Sequence, residues 1–160
     1  MTEAPLTTPS APSKSSRILA ARRFQWLERA GILYTRLALG TAFLSAVADR
    51  FGLWGKYGGW GNFTNFTKYT AEVNSFMPAF AVPFLAWAAT VAETLLGVGL
   101  IVGLWPRCVA TVSALLLAVF GIVMAISFGV KSPLDYSVFS ASAGAVLLAL
   151  YQQRRSETDS

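Results

Sequence analysis

Four long, unbroken runs of apolar residues dominate the pattern along this chain, at about residues 30–48, 80–104, 109–128 and 134–151. A helix crossing a bilayer core needs roughly 20 apolar residues, whereas a barrel strand needs ~10 with polar and apolar positions alternating. No such alternation interrupts these runs. Backbone in lipid must also satisfy its own hydrogen bonds, so the runs are expected to be helices. The predicted fold class is all-α: an integral membrane four-helix bundle. Pro83 falls in the first turn of the second run, where a missing N–H does little harm. Trp105-Pro106 stops that run, Gly129 and the Lys131-Ser132-Pro133 turn stop the third, and Gln152 to Arg155 return the chain to water as a tail over 152–160.

The segments outside the runs read differently. Residues 1–16 are rich in Pro, Ser and Thr, the composition of a disordered tail. Over 17–29, Ile18, Leu19, Phe24, Trp26 and Leu27 alternate with Arg17, Arg22, Arg23 and Arg29. That pattern suits either a short interfacial helix on an anionic leaflet or a plain basic juxtamembrane stretch. The connection from Asp49 to Pro78 is glycine-rich at first, with Trp54, Tyr57 and Trp60 suited to an aromatic belt. Phe63, Phe66, Tyr69, Val73 and Phe76 then form a stripe that predicts a short amphipathic, interfacial helix, acting as a cover or as a lid over a site. Asn62 and Asn65 begin two glycosylation sequons, triplets that arise often by chance.

Composition narrows the chemistry. The chain is 54% hydrophobic and only 13% charged, about half the charge of a soluble domain. It has one cysteine, Cys108, and no histidine, so an intrachain disulfide, a Cys/His zinc site and a His-ligated haem are excluded. No metal is expected. The net charge of +5 does not point to nucleic acid, because the basic residues flank apolar runs instead of forming a stripe. Their distribution orients the chain. Lys14, Arg17, Arg22, Arg23, Arg29, Arg107, Arg154 and Arg155 fall on one side, against Arg50, Lys56, Lys68 and Lys131 on the other. Lys and Arg concentrate on the cytoplasmic side, so both termini are expected in the cytoplasm of a bacterial inner membrane.

Two ionisable residues interrupt the runs, and charges at that depth are costly enough to mark a packed pair or a function. Arg36 lies about 6 residues, or ~9 Å, above the inner end of the first run, and Glu93 about 11 residues, or ~16 Å, above that of the second. The difference is within reach of extended side chains, so Arg36 and Glu93 are expected to meet. Such a pair either fixes helix register or anchors a quinone head group or small anion. Asp49, Arg50 and Asp135 form a second expected cluster near the outer surface, with an Asp135–Arg50 contact weighed against ordinary interfacial charges. Gly99 and Gly103 form a GxxxG that suits a helix contact.

The segments RLALGTAFLSAVADRFGLWG, PFLAWAATVAETLLGVGLIVGLWPR and SPLDYSVFSASAGAVLL together resemble the DoxX family of small bacterial membrane proteins. The resemblance rests on Arg36, Leu39, Gly40, Glu93, Gly97, Gly99, Gly103 and Arg107, and covers Gly31 to Tyr151. It implies four membrane helices and, through DoxD-type relatives of thiosulfate:quinone oxidoreductase, a quinone-facing role. The expected function is a non-catalytic membrane subunit or anchor of a quinone-linked oxidoreductase, with the lipid bilayer and a soluble or membrane redox partner as its surroundings. A small-solute transporter is the alternative, although the third run offers only Thr111, Ser113 and Ser127 as polar residues. An enzyme in its own right would have Glu93 as its one strong acid/base group.

Overall fold

The computed structural model describes residues 14–158, and its described residues contain helices and no strands. Residues group into two compact units, Met1–Leu33 and Tyr34–Ser160. Helix α1 (Lys14–Arg50) contributes its first part to the first unit and its remainder to the second. The expected tail over 1–16 falls outside the described residues except for Lys14 to Ser16, which are already helical. In the first unit, Phe24, Trp26 and Leu27 are exposed side by side with Arg22, Arg23 and Arg29. The basic stretch and the first apolar run are one uninterrupted helix, with no proline between them and Gly31 held inside the helix.

The second unit continues with α2 (Phe63–Val73), α3 (Val82–Val102), α4 (Pro106–Phe128), α5 (Lys131–Asp135) and α6 (Val138–Thr158). Local chemistry sets their ends. Asn62 caps α2 by accepting from the backbone N–H of Asn65 at 2.9 Å, and Asn65 Nδ2 donates to the Trp60 carbonyl at 2.9 Å. Both sequon asparagines are thus occupied in holding a helix start. Phe76, expected to extend the α2 stripe, lies beyond the helix and is exposed. Gly103 ends α3 at φ 84°, a left-handed conformation that glycine takes without penalty. Pro106 then opens α4 at a position where its fixed φ suits a helix start.

Among the described residues, three helical stretches are long and apolar enough to cross a membrane: Arg22–Arg50, Ala79–Val102 and Pro106–Phe128. Their outer faces carry Leu95, Leu115, Ile122 and Ile126 exposed, which water would penalise and hydrocarbon does not. The protein is an all-α membrane protein. The fourth expected span, 134–151, divides into α5 and α6. Ser137, at φ 55°, marks the break between them.

Helix packing relies on small residues, as lipid-embedded helices do. A Cβ on Gly40 would sit 2.9 Å from the Gly97 carbonyl oxygen, and one on Gly97 would sit 3.0 Å from that of Gly40. These glycines bring α1 and α3 into backbone contact. Gly121 of α4 likewise receives the Phe139 ring of α6, and Ser142 Oγ donates to the Ala114 carbonyl at 2.9 Å. Of the expected GxxxG, Gly99 admits Val109 of α4, whereas Gly103 serves as the α3 cap.

Candidate functional site

The last residue of α1, Arg50, turns inward and is 3% exposed. Its Nη2 donates to Glu93 Oε1 at 2.6 Å and its Nη1 to Thr90 Oγ1 at 2.9 Å. Thr90 and Glu93 lie one turn apart on α3, the spacing that puts both on one face. The Thr90 hydroxyl donates a hydrogen bond to the Ala86 carbonyl at 2.8 Å, so it accepts from arginine and donates to backbone at once. Glu93 is 2% exposed. A carboxylate so deep is tolerable only when neutralised, and Arg50 neutralises it.

An aromatic roof covers the pair. The Arg50 guanidinium lies over the Phe66 ring of α2, its central carbon 3.8 Å from the ring centroid, and Trp60 stands at 5.7 Å. Trp60 meets Phe66 edge-on at 5.0 Å, and Phe63 packs on Trp87 at 4.5 Å. Asp49 sets the roof in place: its Oδ2 accepts from the backbone N–H groups of Gly59 at 2.8 Å and Trp60 at 3.2 Å. The far end of α2 is fastened by Ser127 Oγ, which donates to the Val73 carbonyl at 2.5 Å. Sequence reasoning left α2 open as a cover or a lid; it packs against α3 and α4, with Phe66 buried over Arg50.

The expected Arg36–Glu93 contact is therefore corrected. Arg36 donates from Nε to the Leu100 carbonyl at 2.8 Å and from Nη2 to the Ile101 carbonyl at 3.3 Å. Its charge rests on the unsatisfied, partially negative C-terminus of α3. The position depends on Gly103, where a Cβ would fall 2.2 Å from Arg36 Nη2. The misplacement came from treating Ala30 as the inner end of the first span. Helix α1 has no end there, and Arg36 itself is level with the end of α3.

The expected outer cluster is also dispersed. Asp49 holds the loop, Arg50 holds Glu93, and Asp135 pairs with Lys131 one turn away on α5, both exposed. Phe66 and Trp60 belong to the Arg50 site but were read separately, as part of an interfacial stripe and as a belt residue, and Thr90 joins them there. The available signal was a Thr-x-x-Glu on one apolar helix with an arginine closing another. Beside the roof, where the Tyr69 ring lies 5.6 Å from that of Trp60, burial raises the Tyr69 hydroxyl above the ordinary tyrosine value of 10.0, helped by Tyr136 and Glu72.

Among the described residues, no three His, Cys, Asp or Glu side chains gather closely enough to hold a metal ion. Comparison with known proteins gives one family match: the model described as methylamine utilisation protein MauE covers residues 28–135. No curated protein and no solved structure matches. The DoxX resemblance is overturned, since the match is to a different membrane family and no DoxX model matches. Gly40, Gly97 and Gly99 are small residues of the kind that close helix packing in lipid uses in many families, so they do not discriminate. The inference to thiosulfate:quinone oxidoreductase falls with the resemblance.

Proposed function

We propose, from the premise that this chain belongs to the MauE family of methylamine utilisation proteins, that it serves as a non-catalytic membrane accessory of a redox system. The observation that carries this reading is the family match, whose residues 28–135 include Arg36, Arg50, Glu93 and the whole aromatic roof. Drawing on methylamine as a nutrient entails oxidising it, so a redox partner, soluble or in the membrane, is expected beside the chain. The geometry supports a supporting role. The one deeply buried carboxylate among the described residues, Glu93, is engaged by Arg50 beneath Phe66, and neither charge is presented to a substrate.

In this reading α6 also crosses the membrane and both termini lie in the cytoplasm, supported by the Lys and Arg excess at Arg22, Arg23, Arg29, Arg107 and Arg154. The functional test is genetic and biochemical together. Deleting the gene in its host is expected to abolish methylamine oxidation, with expression in trans restoring it, while the purified chain alone turns over no methylamine. Reduction of a quinone or dye by the purified chain with methylamine would overturn the accessory role.

A further inference from the structure

Helices α4 and α6 flank a groove of about 330 Å³ at the end where α4 starts and α6 finishes, a volume at the small end of ligand pockets. Ala114 of α4 and Ala149 of α6 line it where larger side chains would close it, and the exposed Leu115 and Leu150 give it apolar walls. Thr111 directs its hydroxyl to the Arg107 carbonyl at 2.9 Å, so it adds little polarity there. Arg107 and Gln153 form the polar end. Arg107 differs from Arg36 and Arg50, which donate to carbonyls of α3 and to Glu93 and Thr90. Its guanidinium is exposed and takes part in neither of the ion pairs among the described residues, Arg50–Glu93 and Lys131–Asp135. Because α4 is a membrane-crossing helix that begins at Pro106, Arg107 lies at headgroup depth, and Leu115, about 8 residues further, lies ~12 Å deeper. A basic mouth at the water boundary above an apolar interior is complementary to an amphiphile with an anionic head.

We propose that this groove holds an anionic phospholipid, its phosphate on the Arg107 guanidinium and one acyl chain between α4 and α6 against Ala114 and Ala149. A guanidinium engages a phosphate through parallel charge-assisted hydrogen bonds, a geometry that an ammonium lacks. A neutral amphiphile such as a quinone leaves the Arg107 charge unanswered. A water-soluble anion leaves Leu115 and Leu150 uncovered. An anionic phospholipid answers both ends of the groove, and the bilayer supplies it at the depth where Arg107 stands. The inference takes from the reading above only that α6 lies in the membrane; the accessory role is not needed.

The test is native mass spectrometry of the full chain in detergent, titrated with palmitoyl-oleoyl phosphatidylglycerol or with phosphatidylcholine of the same chains. One lipid adduct is expected to saturate first. Phosphatidylglycerol is expected to bind about 5-fold or more tightly than phosphatidylcholine, the share one arginine contributes at an anionic surface. Arg107→Gln is expected to erase that preference and Arg107→Lys to keep part of it. Thr111→Trp, at an exposed position in the groove, fills the chain's path and is expected to weaken both lipids by ~10-fold. Arg154→Gln, at an exposed arginine outside the groove lining, is expected to change neither. Equal affinity of the wild type for the two lipids overturns the proposal, whatever the variants do. So does a phosphatidylglycerol preference intact in folded Arg107→Gln, or binding undiminished in folded Thr111→Trp. An equal loss in Arg154→Gln marks a diffuse basic surface and also refutes it, as does extraction of the purified chain that yields one quinone or fatty acid per chain in place of an anionic phospholipid.

Discussion

Replacing Glu93 by glutamine isolates the energetic role of the buried pair. The substitution keeps shape and an acceptor for Arg50 Nη2 but leaves the guanidinium, 3% exposed, without a counter-charge. Breaking a buried ion pair by removing one partner costs about 3–5 kcal/mol. Two interactions soften the loss: the Phe66 face at 3.8 Å and the Thr90 hydroxyl at 2.9 Å both remain. A cation–π contact contributes about 0.5–2 kcal/mol, so the expected net cost is ~2–3 kcal/mol. Unfolding of the purified protein by dodecyl sulfate in mixed micelles measures it. Arg50→Gln in the same background completes a double-mutant cycle, with an expected coupling of about 1.5–3 kcal/mol. Arg36→Gln is the contrast. Arg36 is level with Leu100, about 7 residues or ~10 Å along α3 from Glu93, and independent sites at such separation couple by less than ~0.5 kcal/mol. Strong coupling of Arg36 to Glu93, or none between Arg50 and Glu93, refutes the assignment.

Three further outcomes are expected. Gly103→Ala places a side chain at φ 84° and against Arg36, costing about 1–3 kcal/mol in the same unfolding assay, and Arg36→Gln is expected to relieve part of that loss. The Tyr69 hydroxyl is expected to ionise above 10.0 in an ultraviolet tyrosinate titration of wild type against Tyr69→Phe. Because the folded state keeps this proton after the unfolded chain has lost it, stability is unaffected below that value and falls as pH rises beyond it; an unchanged or lower titration midpoint contradicts the burial. Cys108, the sole cysteine and exposed, is expected to react with a membrane-impermeant maleimide in inverted vesicles and not in intact cells. The reverse labelling pattern rejects the proposed orientation.

Much of the fold was legible because solvent preference leaves a long signature. Arg22–Arg50, Ala79–Val102 and Pro106–Phe128 have the length and apolar composition of membrane-crossing helices, and Trp105-Pro106 marks the junction of the last two in the sequence itself. Asn62 and Asn65 could have been read as a helix start, yet their sequon context drew attention to modification. The inner boundary of the first span was illegible, since α1 runs from Lys14 without a break and no residue announces where lipid begins. That missing reference shifted the register of α1 against α3 and moved Arg36 onto Glu93. The close approach of Gly40 and Gly97 carries the correct register, but a glycine names no partner. The aromatic roof was hidden for a different reason. Phe66 looks the same in sequence whether it faces lipid or a guanidinium, and only the tertiary path of the Asp49 loop decides.

Cross-linking in native membranes tests this register most directly. In a Cys108→Ser background, Leu44→Cys and Gly97→Cys should form an intramolecular disulfide on mild oxidation, because a Cβ at position 97 lies 2.9 Å from Leu44 Cγ, within the geometry a disulfide requires. Pairing Leu44→Cys instead with Leu85→Cys, the partner that an Arg36–Glu93 register would place opposite, should yield none. A disulfide in the second pair and none in the first would contradict the Arg50–Glu93 site on which this account is built.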